Sequence, residues 1–113
     1  MKIVKVLSTV LVFASLNVFA HGDHPRPVVK CAAACTKAEV EKAVPAALSS
    51  LALAGKVDQS WVNAKLENVE LKQFKKGKDW VVTMFDSKKQ TQQRLYVFIT
   101  TDGFLNGSNY TGN

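Results

Sequence analysis

The most apolar stretch after residue 20 reads Trp80-Val-Val-Thr-Met-Phe85, continues through a polar segment at 86–94, and resumes with Leu95-Tyr-Val-Phe-Ile-Thr-Thr101. Both apolar runs are rich in β-branched and aromatic side chains, which fit a pleated and half-buried surface. We therefore predict two neighbouring β-strands joined by the polar segment, and we expect the rest of the domain to be built around them.

A helix is predicted before these strands. Thr36 and Glu39 have the spacing of a capping box, in which Thr36 is the N-cap and Glu39 reaches back from the third helical position. Gly55 is well placed to end the helix. Pro45 removes one backbone hydrogen bond and is predicted to kink the helix or to split it in two. The apolar residues that recur at helical spacing are Val40, Val44, Ala47, Leu48, Leu51 and Ala54.

Further strands are predicted on both sides of the central pair. Residues 64–74 alternate in two different phases, which a bulge near Glu67 would reconcile. The lysine-rich segment at 75–78 makes a turn, and Asp102-Gly103 signals another turn into a short last strand at 104–110. The predicted fold class is therefore α+β, with two layers. The kinked N-terminal helix packs on an antiparallel meander of three to four strands.

The start of the chain predicts export. Lys2 and Lys5 precede an apolar run that ends in Val18-Phe19-Ala20, which is the layout of a signal peptide (residues 1–20) cleaved after Ala20. The apolar run is shorter than the roughly 20 residues that normally span a bilayer. We therefore expect a periplasmic or secreted protein that starts at His21 and is not attached to a membrane after cleavage.

Residues 21–35 are predicted to form a flexible leader that contains His and Cys residues, before a folded domain at 36–113. Two prolines and a glycine between His21 and Pro27 favour an extended and poorly ordered chain. The three alanines between Cys31 and Cys35 favour a helix, which would place both cysteines on one face. Because secreted cysteines usually pair, we expect a disulfide between them.

A set of short motifs carries a resemblance. They are Gly55-Lys-Val-Asp-Gln-Ser-Trp61, Val69-Glu-Leu71, Trp80-Val-Val82, Leu95-Tyr-Val-Phe98, Asp102-Gly103 and His21-Gly-Asp-His24. On these motifs the sequence resembles a family of small, uncharacterised secreted bacterial proteins whose mature chains typically start with His-Gly-Asp-His. The resemblance implies a fold similar to the PepSY module, the α+β unit of peptidase propeptides, and it brings no activity. The Cys31 and Cys35 pair departs from the family pattern, so no family role is carried onto it.

The composition of the predicted domain argues against an enzyme. Residues 36–113 contain no histidine and no cysteine, which excludes Ser-His-Asp and Cys-His arrangements there. The carboxylates are dispersed, and no glycine-rich phosphate loop is present. The chain carries 15 basic and 9 acidic residues. The lysines are scattered, so together with export this argues against a nucleic-acid partner.

Metal binding through the N-terminal region is the alternative function. After cleavage, the α-amine and ring nitrogen of His21 would form a chelate that suits Cu(II), with His24 as a third nitrogen ligand. Thiolates at Cys31 and Cys35 would suit Cu(I) or Zn(II). The competing interpretation is a solvated leader with a disulfide. This alternative describes a periplasmic accessory protein that uses copper or zinc.

The central strands are apolar on both faces, and one helix covers only one face of a small sheet. The other face is therefore predicted to meet a peptide, a protein or a second copy of the chain, unless the leader folds back over it. We accordingly predict a non-catalytic periplasmic or secreted binding module. The expected helix-facing set is Trp80, Val82, Met84, Leu95, Val97 and Ile99, and the expected interaction face is Val81, Phe85, Tyr96 and Phe98.

Overall fold

The computed structural model describes residues 26–113, which form one α-helix, one 3-10 helix and five strands. The elements are β1 (Arg26–Pro27), α1 (Lys37–Leu53), the 3-10 helix (Gln59–Asn63), β2 (Lys65–Phe74), β3 (Gly77–Phe85), β4 (Arg94–Thr100) and β5 (Phe104–Asn109). All strands belong to one antiparallel sheet in the order β1-β5-β4-β3-β2. The fold is therefore α+β, as predicted, with a meander of four strands and a fifth strand at its edge.

Within residues 26–113, no helix is both long enough and apolar enough to span a bilayer.

Helix α1 starts and stops where the sequence predicts. The Glu39 N–H donates to the Thr36 hydroxyl (3.2 Å), and the Thr36 N–H donates to the Glu39 carboxylate (2.9 Å), which completes the capping box. Just past the other end, Gly55 has a φ of +73°, and its N–H donates to the Ala52 carbonyl. The helix continues through Pro45. It is thus not split in two, and the predicted kink is not confirmed.

The predicted central pair of strands is confirmed. β3 and β4 are hydrogen-bonded neighbours, with Val82 directly opposite Val97. The predicted bulge is also present, because the register of β2 shifts between Leu66 and Asn68. The extra residue is Glu67, and it allows apolar residues on both sides of the bulge to point toward α1.

The sheet has five strands, so the prediction of three to four strands is wrong. The additional strand β1 pairs Arg26 with Leu105 and Pro27 with Phe104. A two-residue strand that contains a proline shows no alternation of apolar and polar residues, so its sequence carries no strand signal. Its position depends on pairing with a distant part of the chain.

Residues 28–35 continue along the packed domain. The N–H groups of Val28 and Val29 both donate to the Gly103 carbonyl (2.9 and 3.3 Å), and the Cys35 N–H donates to the Thr101 carbonyl (2.8 Å). The segment from 31 to 35 is irregular, so the predicted helix there is wrong. The Cys35 N–H, which a helix would use for its own hydrogen bond, donates to the turn between β4 and β5 instead. The packed part of the chain therefore includes residues 26–35 as well as 36–113.

One face of the sheet packs against α1 and the 3-10 helix. Trp61 of the 3-10 helix is 1% exposed and is the largest of the fully buried side chains. The predicted helix-facing residues belong to this core, with Trp80 partly buried at its margin. Cys35 is part of the same core, and Val28 packs against it. The opposite face of the sheet, which we call the outer face, is not covered by α1.

Candidate functional site on the outer face of the sheet

The four residues of the predicted interaction face lie together on the outer face. Val81 of β3 is directly opposite Phe98 of β4, and neither belongs to the core against α1. Phe85 and Tyr96 have the same phase in their strands as Val81 and Phe98, so they point to the same side. Their placement thus follows the prediction, and their role in binding stays a prediction.

The outer face is more closely packed than the open apolar patch that the sequence suggests. Val81 is only 3% exposed and Phe98 only 8%. Phe74, at the end of β2, packs edge-on against Phe98, with ring centres 5.8 Å apart. The leader does not provide this cover, since Val28 and Cys31 pack against the helix-facing core. The competing arrangement, in which the leader covers the outer face, is therefore wrong for residues 26–35.

A pocket of about 280 Å³ opens beside Phe98. Its position depends on Gly107, which lies opposite Phe98 on β5 and has no side chain to cover the ring. Gly107 has a φ of +138°, which other residues rarely adopt, and a methyl group placed on it would meet open space. The walls combine two aromatic rings with polar groups, a mixture typical of ligand sites. They include Phe74, Phe98, Asp79, Asn106, Asn109 and Asn113.

A second hollow of about 620 Å³ adjoins this pocket at the β2–β3 turn. The two cavities share Phe74, Asp79 and Asn106 among their lining residues, so they adjoin one another, and we call them together the outer groove. The Asn106 side-chain amide donates a hydrogen bond to the Asp79 carboxylate at 2.9 Å. This bond holds the start of β3 to the bulged part of β5 and fixes the middle of the outer groove.

An ion pair closes the other end of the outer face. Arg94 donates two hydrogen bonds to the Glu67 carboxylate, at 2.6 and 2.9 Å. Its guanidinium also lies 4.8 Å from the centre of the Phe85 ring. The hydrogen bond from Arg94 lowers the pKa of Glu67, so the pair stays ionised further into the acid range. Phe85 is therefore half-buried beside this ion pair, and the hollow part of the outer face is the outer groove.

The C-terminal residues form a wall beside Tyr96. The Asn109 side chain accepts hydrogen bonds from the N–H groups of Thr111 (3.1 Å) and Gly112 (2.8 Å), which turns the chain back over the sheet. Gly112 lies so close to Tyr96 that an added methyl group would be 3.2 Å from the ring. The turn brings Asn113 to the edge of the pocket. Tyr96 therefore packs against the C-terminal turn that carries Asn113.

Of the residues that line the outer groove, only Phe98 was predicted from the sequence as a site residue, and Phe74, Gly107 and Asn113 are among those that were not. Phe74 ends a predicted strand, and nothing local indicates that its ring reaches Phe98, which is two strands away. Gly107 had the clearest signal, because a glycine that interrupts a strand often marks a bulge or a close approach. A glycine opposite an aromatic residue is therefore the feature that could have located the pocket.

The described residues do not assemble the metal site that the sequence suggests. Cys31 and Cys35 form a disulfide with Cα atoms 5.3 Å apart, and in this state neither offers a thiolate to Cu(I) or Zn(II). Between residues 26 and 113, no three or more His, Cys, Asp and Glu side chains are grouped so as to hold a metal ion. His21 and His24 lie outside the described residues, so a copper site there stays a prediction.

The disulfide gives a direct prediction. Cys31 and Cys35 are the only cysteines of the chain, so we expect no free thiol in exported protein purified without reductant. Replacing both with alanine is expected to lower the free energy of unfolding by about 2 kcal/mol, because the closed loop is short. Thiol titration and urea unfolding measure the two quantities. Two free thiols per chain, or unchanged stability, would contradict the prediction.

The whole chain matches one family model. Residues 1–113 match the model of a family of unknown function, DUF6488. The chain belongs to this family. No curated protein and no solved structure matches it significantly. Membership in DUF6488 agrees with the resemblance to an uncharacterised family, and the function of this DUF6488 member has to be inferred from its own outer groove.

Proposed function

We propose that this DUF6488 member is a non-catalytic binding module, periplasmic or secreted, that takes an apolar side chain of a peptide or protein into its outer groove. The observation that carries the proposal is the pocket of about 280 Å³ beside Phe98, on the face that α1 leaves uncovered. Aromatic rings offer apolar contact there, and amide side chains offer hydrogen bonds to a bound backbone. This combination fits the recognition of a polypeptide segment.

Export is part of the proposal. The disulfide between Cys31 and Cys35 supports it, because disulfides persist mainly in oxidising compartments. We also include the PepSY-like character of the fold, which is supported by the packing of one helix on an antiparallel meander. Residues 1–20 would then act as a cleaved signal peptide, and the domain would meet its partner outside the cytoplasm.

A peptide fits the outer groove better than a flat contact between two sheets. Val81 and Phe98 are already nearly covered within one chain, at 3% and 8% exposure. A second copy laid flat on the sheet would therefore bury little additional apolar area at these two positions. A single inserted side chain would fill the pocket beside Gly107 instead. A second copy of the chain remains the competing occupant in the test.

The test compares two phenylalanines, Phe74, which is half-buried in the outer groove, and Phe104, which is exposed outside it. Peptides are first selected from a random display library against the protein that starts at His21, and their affinities are measured by calorimetry. Phe74→Ala removes a wall of the outer groove and is expected to weaken binding by about tenfold or more. Phe104→Ala is the matched control, because Phe104 is 39% exposed and does not line the outer groove. Its affinity is expected to be unchanged.

The outcomes separate the possibilities. A selected peptide whose affinity falls only in Phe74→Ala supports the proposal. Failure to select any peptide, or equal affinity of Phe74→Ala and the unchanged protein, would contradict it. Sedimentation of the same proteins tests the second copy, since a dimer that Phe74→Ala dissociates would make the outer groove a self-association site.

A further inference from the structure

One end of the outer groove is strongly basic. Lys75, Lys76 and Lys78 line the hollow at the β2–β3 turn, and all three are exposed. Within residues 26–113, the ion pairs are those of Lys89 with Asp86 and of Arg94 with Glu67. The three turn lysines therefore have no carboxylate within ion-pair distance in the part of the chain that the structure describes. Three like charges in one tight turn repel one another, so a negatively charged partner would be favoured there.

The middle and far end of the outer groove have a different character. Phe74 and Phe98 form its apolar centre, and Asn109 and Asn113 stand at its far end. The Asn113 side-chain amide can both donate and accept hydrogen bonds, as a peptide backbone requires, whereas the Asn109 side-chain oxygen already accepts from Thr111 and Gly112. Along its length, the outer groove thus offers positive charge, then an apolar pocket, then neutral hydrogen-bonding groups. A matching ligand carries carboxylates on one side of an apolar side chain.

Asp79 restricts the ligand further. It lines both parts of the outer groove, next to the turn lysines. One of its oxygens accepts a hydrogen bond from Asn106, and its negative charge faces the same space. Closely spaced phosphates would be repelled at this point, whereas carboxylates spaced along a peptide can reach the lysines and leave Asp79 beside the neutral part of the ligand.

We infer that the outer groove binds an acidic peptide segment, with one apolar side chain in the pocket beside Phe98 and neighbouring carboxylates against Lys75, Lys76 and Lys78. The inference rests on the proposed function and adds the chemical class of its ligand. Charge complementarity at the lysine turn selects the segment and speeds its association. The pocket then holds the apolar side chain once it has docked.

The experiment uses synthetic peptides and the protein that starts at His21. The probe is an acetylated and amidated peptide with a central phenylalanine, three aspartates on one side of it and three asparagines on the other, made in both orders, and its matched control has asparagine at every aspartate position. Binding is followed by fluorescence anisotropy of a labelled peptide. The acidic peptide is expected to bind at least about tenfold more tightly than the asparagine peptide, and raising salt from about 50 to about 500 mM should weaken it.

Two protein variants with the same loss of charge give the decisive comparison. The triple variant K75Q/K76Q/K78Q is expected to lose about tenfold or more in affinity for the acidic peptide. The control K37Q/K42Q/K56Q removes three exposed lysines in and just after α1. It is expected to lose less than about threefold, because charges that lie more than about 10 Å from the ligand are largely screened.

Three results would overturn the inference. Equal binding of the aspartate and asparagine peptides would remove the acidic requirement and leave the proposed function in place, since the selected peptides test that separately. Equal losses of affinity in both triple variants would show that binding depends only on the net charge of the protein. Tighter binding of a single-stranded oligonucleotide or of phosphatidylglycerol vesicles, weakened by K75Q/K76Q/K78Q alone, would assign the lysine turn to phosphates. The proposed function itself fails only if no selected peptide depends on Phe74.

Discussion

Replacing Trp61 with alanine is expected to lower the free energy of unfolding by about 3–5 kcal/mol. Trp61 is 1% exposed, and its removal would leave a large cavity between the 3-10 helix and the sheet. Tyr110 lies near its ring, at 6.2 Å between centres, and Lys89 lies 4.8 Å from it, so three segments lose a common contact. For a domain of this size, such a loss is a large part of the total stability.

Urea unfolding followed by circular dichroism measures this change. Leu53→Ala is the control, because Leu53 is 85% exposed and its truncation is expected to cost less than about 0.5 kcal/mol. A loss below about 1 kcal/mol for Trp61→Ala would mean that the 3-10 helix is not anchored on the core as the structure shows.

The second large expected effect is a gain in stability. Replacing Pro45 with alanine is expected to raise the free energy of unfolding by about 1–3 kcal/mol, because proline is far less favourable than alanine inside a helix. Pro45 is exposed and lies in the interior of α1, so alanine would add a helical hydrogen bond to the Glu41 carbonyl without disturbing the core.

Thermal and urea unfolding show whether Pro45→Ala is more or less stable than the unchanged protein. Pro27→Ala, at the exposed edge strand β1, is the control for a proline outside the helix, and only a small change is expected there. Lower stability of Pro45→Ala would show that the packing of α1 on the sheet requires a bend that only proline maintains. In that case the kink predicted from the sequence would gain support.

The central strands and their two faces could be predicted because the signal is local. Alternation within Trp80 to Phe85 places Val82 on one side and Val81 on the other, whatever the rest of the chain does. The bulge at Glu67 was predictable for the same reason, since a change of phase within one strand requires an extra residue. Chemistry at the helix ends is equally local, and the capping box was predicted correctly.

The N-terminal strand could not be predicted, because its structure depends on residues far along the chain. Val28 and Val29 bond to Gly103, where a side chain would collide with the Val29 carbonyl. Gly103 was predicted as a turn residue, and the close approach of a second segment adds a further reason for glycine there. The alanines between Cys31 and Cys35 favour a helix, but this preference is weak. The hydrogen bond from the Cys35 N–H to the distant Thr101 carbonyl overrides it.

The outer groove was also beyond sequence reasoning. Periodicity assigns Phe98 to the outer face, but it does not show that Phe74 packs against the same ring or that Gly107 leaves a pocket beside it. These features depend on the curvature of the sheet and on side-chain reach across strands. The sequence predicts an open apolar patch on this face, whereas the structure has a pocket whose walls include polar groups. The expected partner is therefore a segment that inserts one side chain, and not a flat surface.

The central claim is that the outer groove is where this protein binds its partner. The most direct measurement is nuclear magnetic resonance of uniformly ¹⁵N-labelled protein during titration with a selected peptide. Backbone amide shifts are expected to change most at Phe74, Gly107 and Ser108, with α1 nearly unaffected. Changes concentrated along α1 or in residues 28–35, with Gly107 unmoved, would contradict the claim.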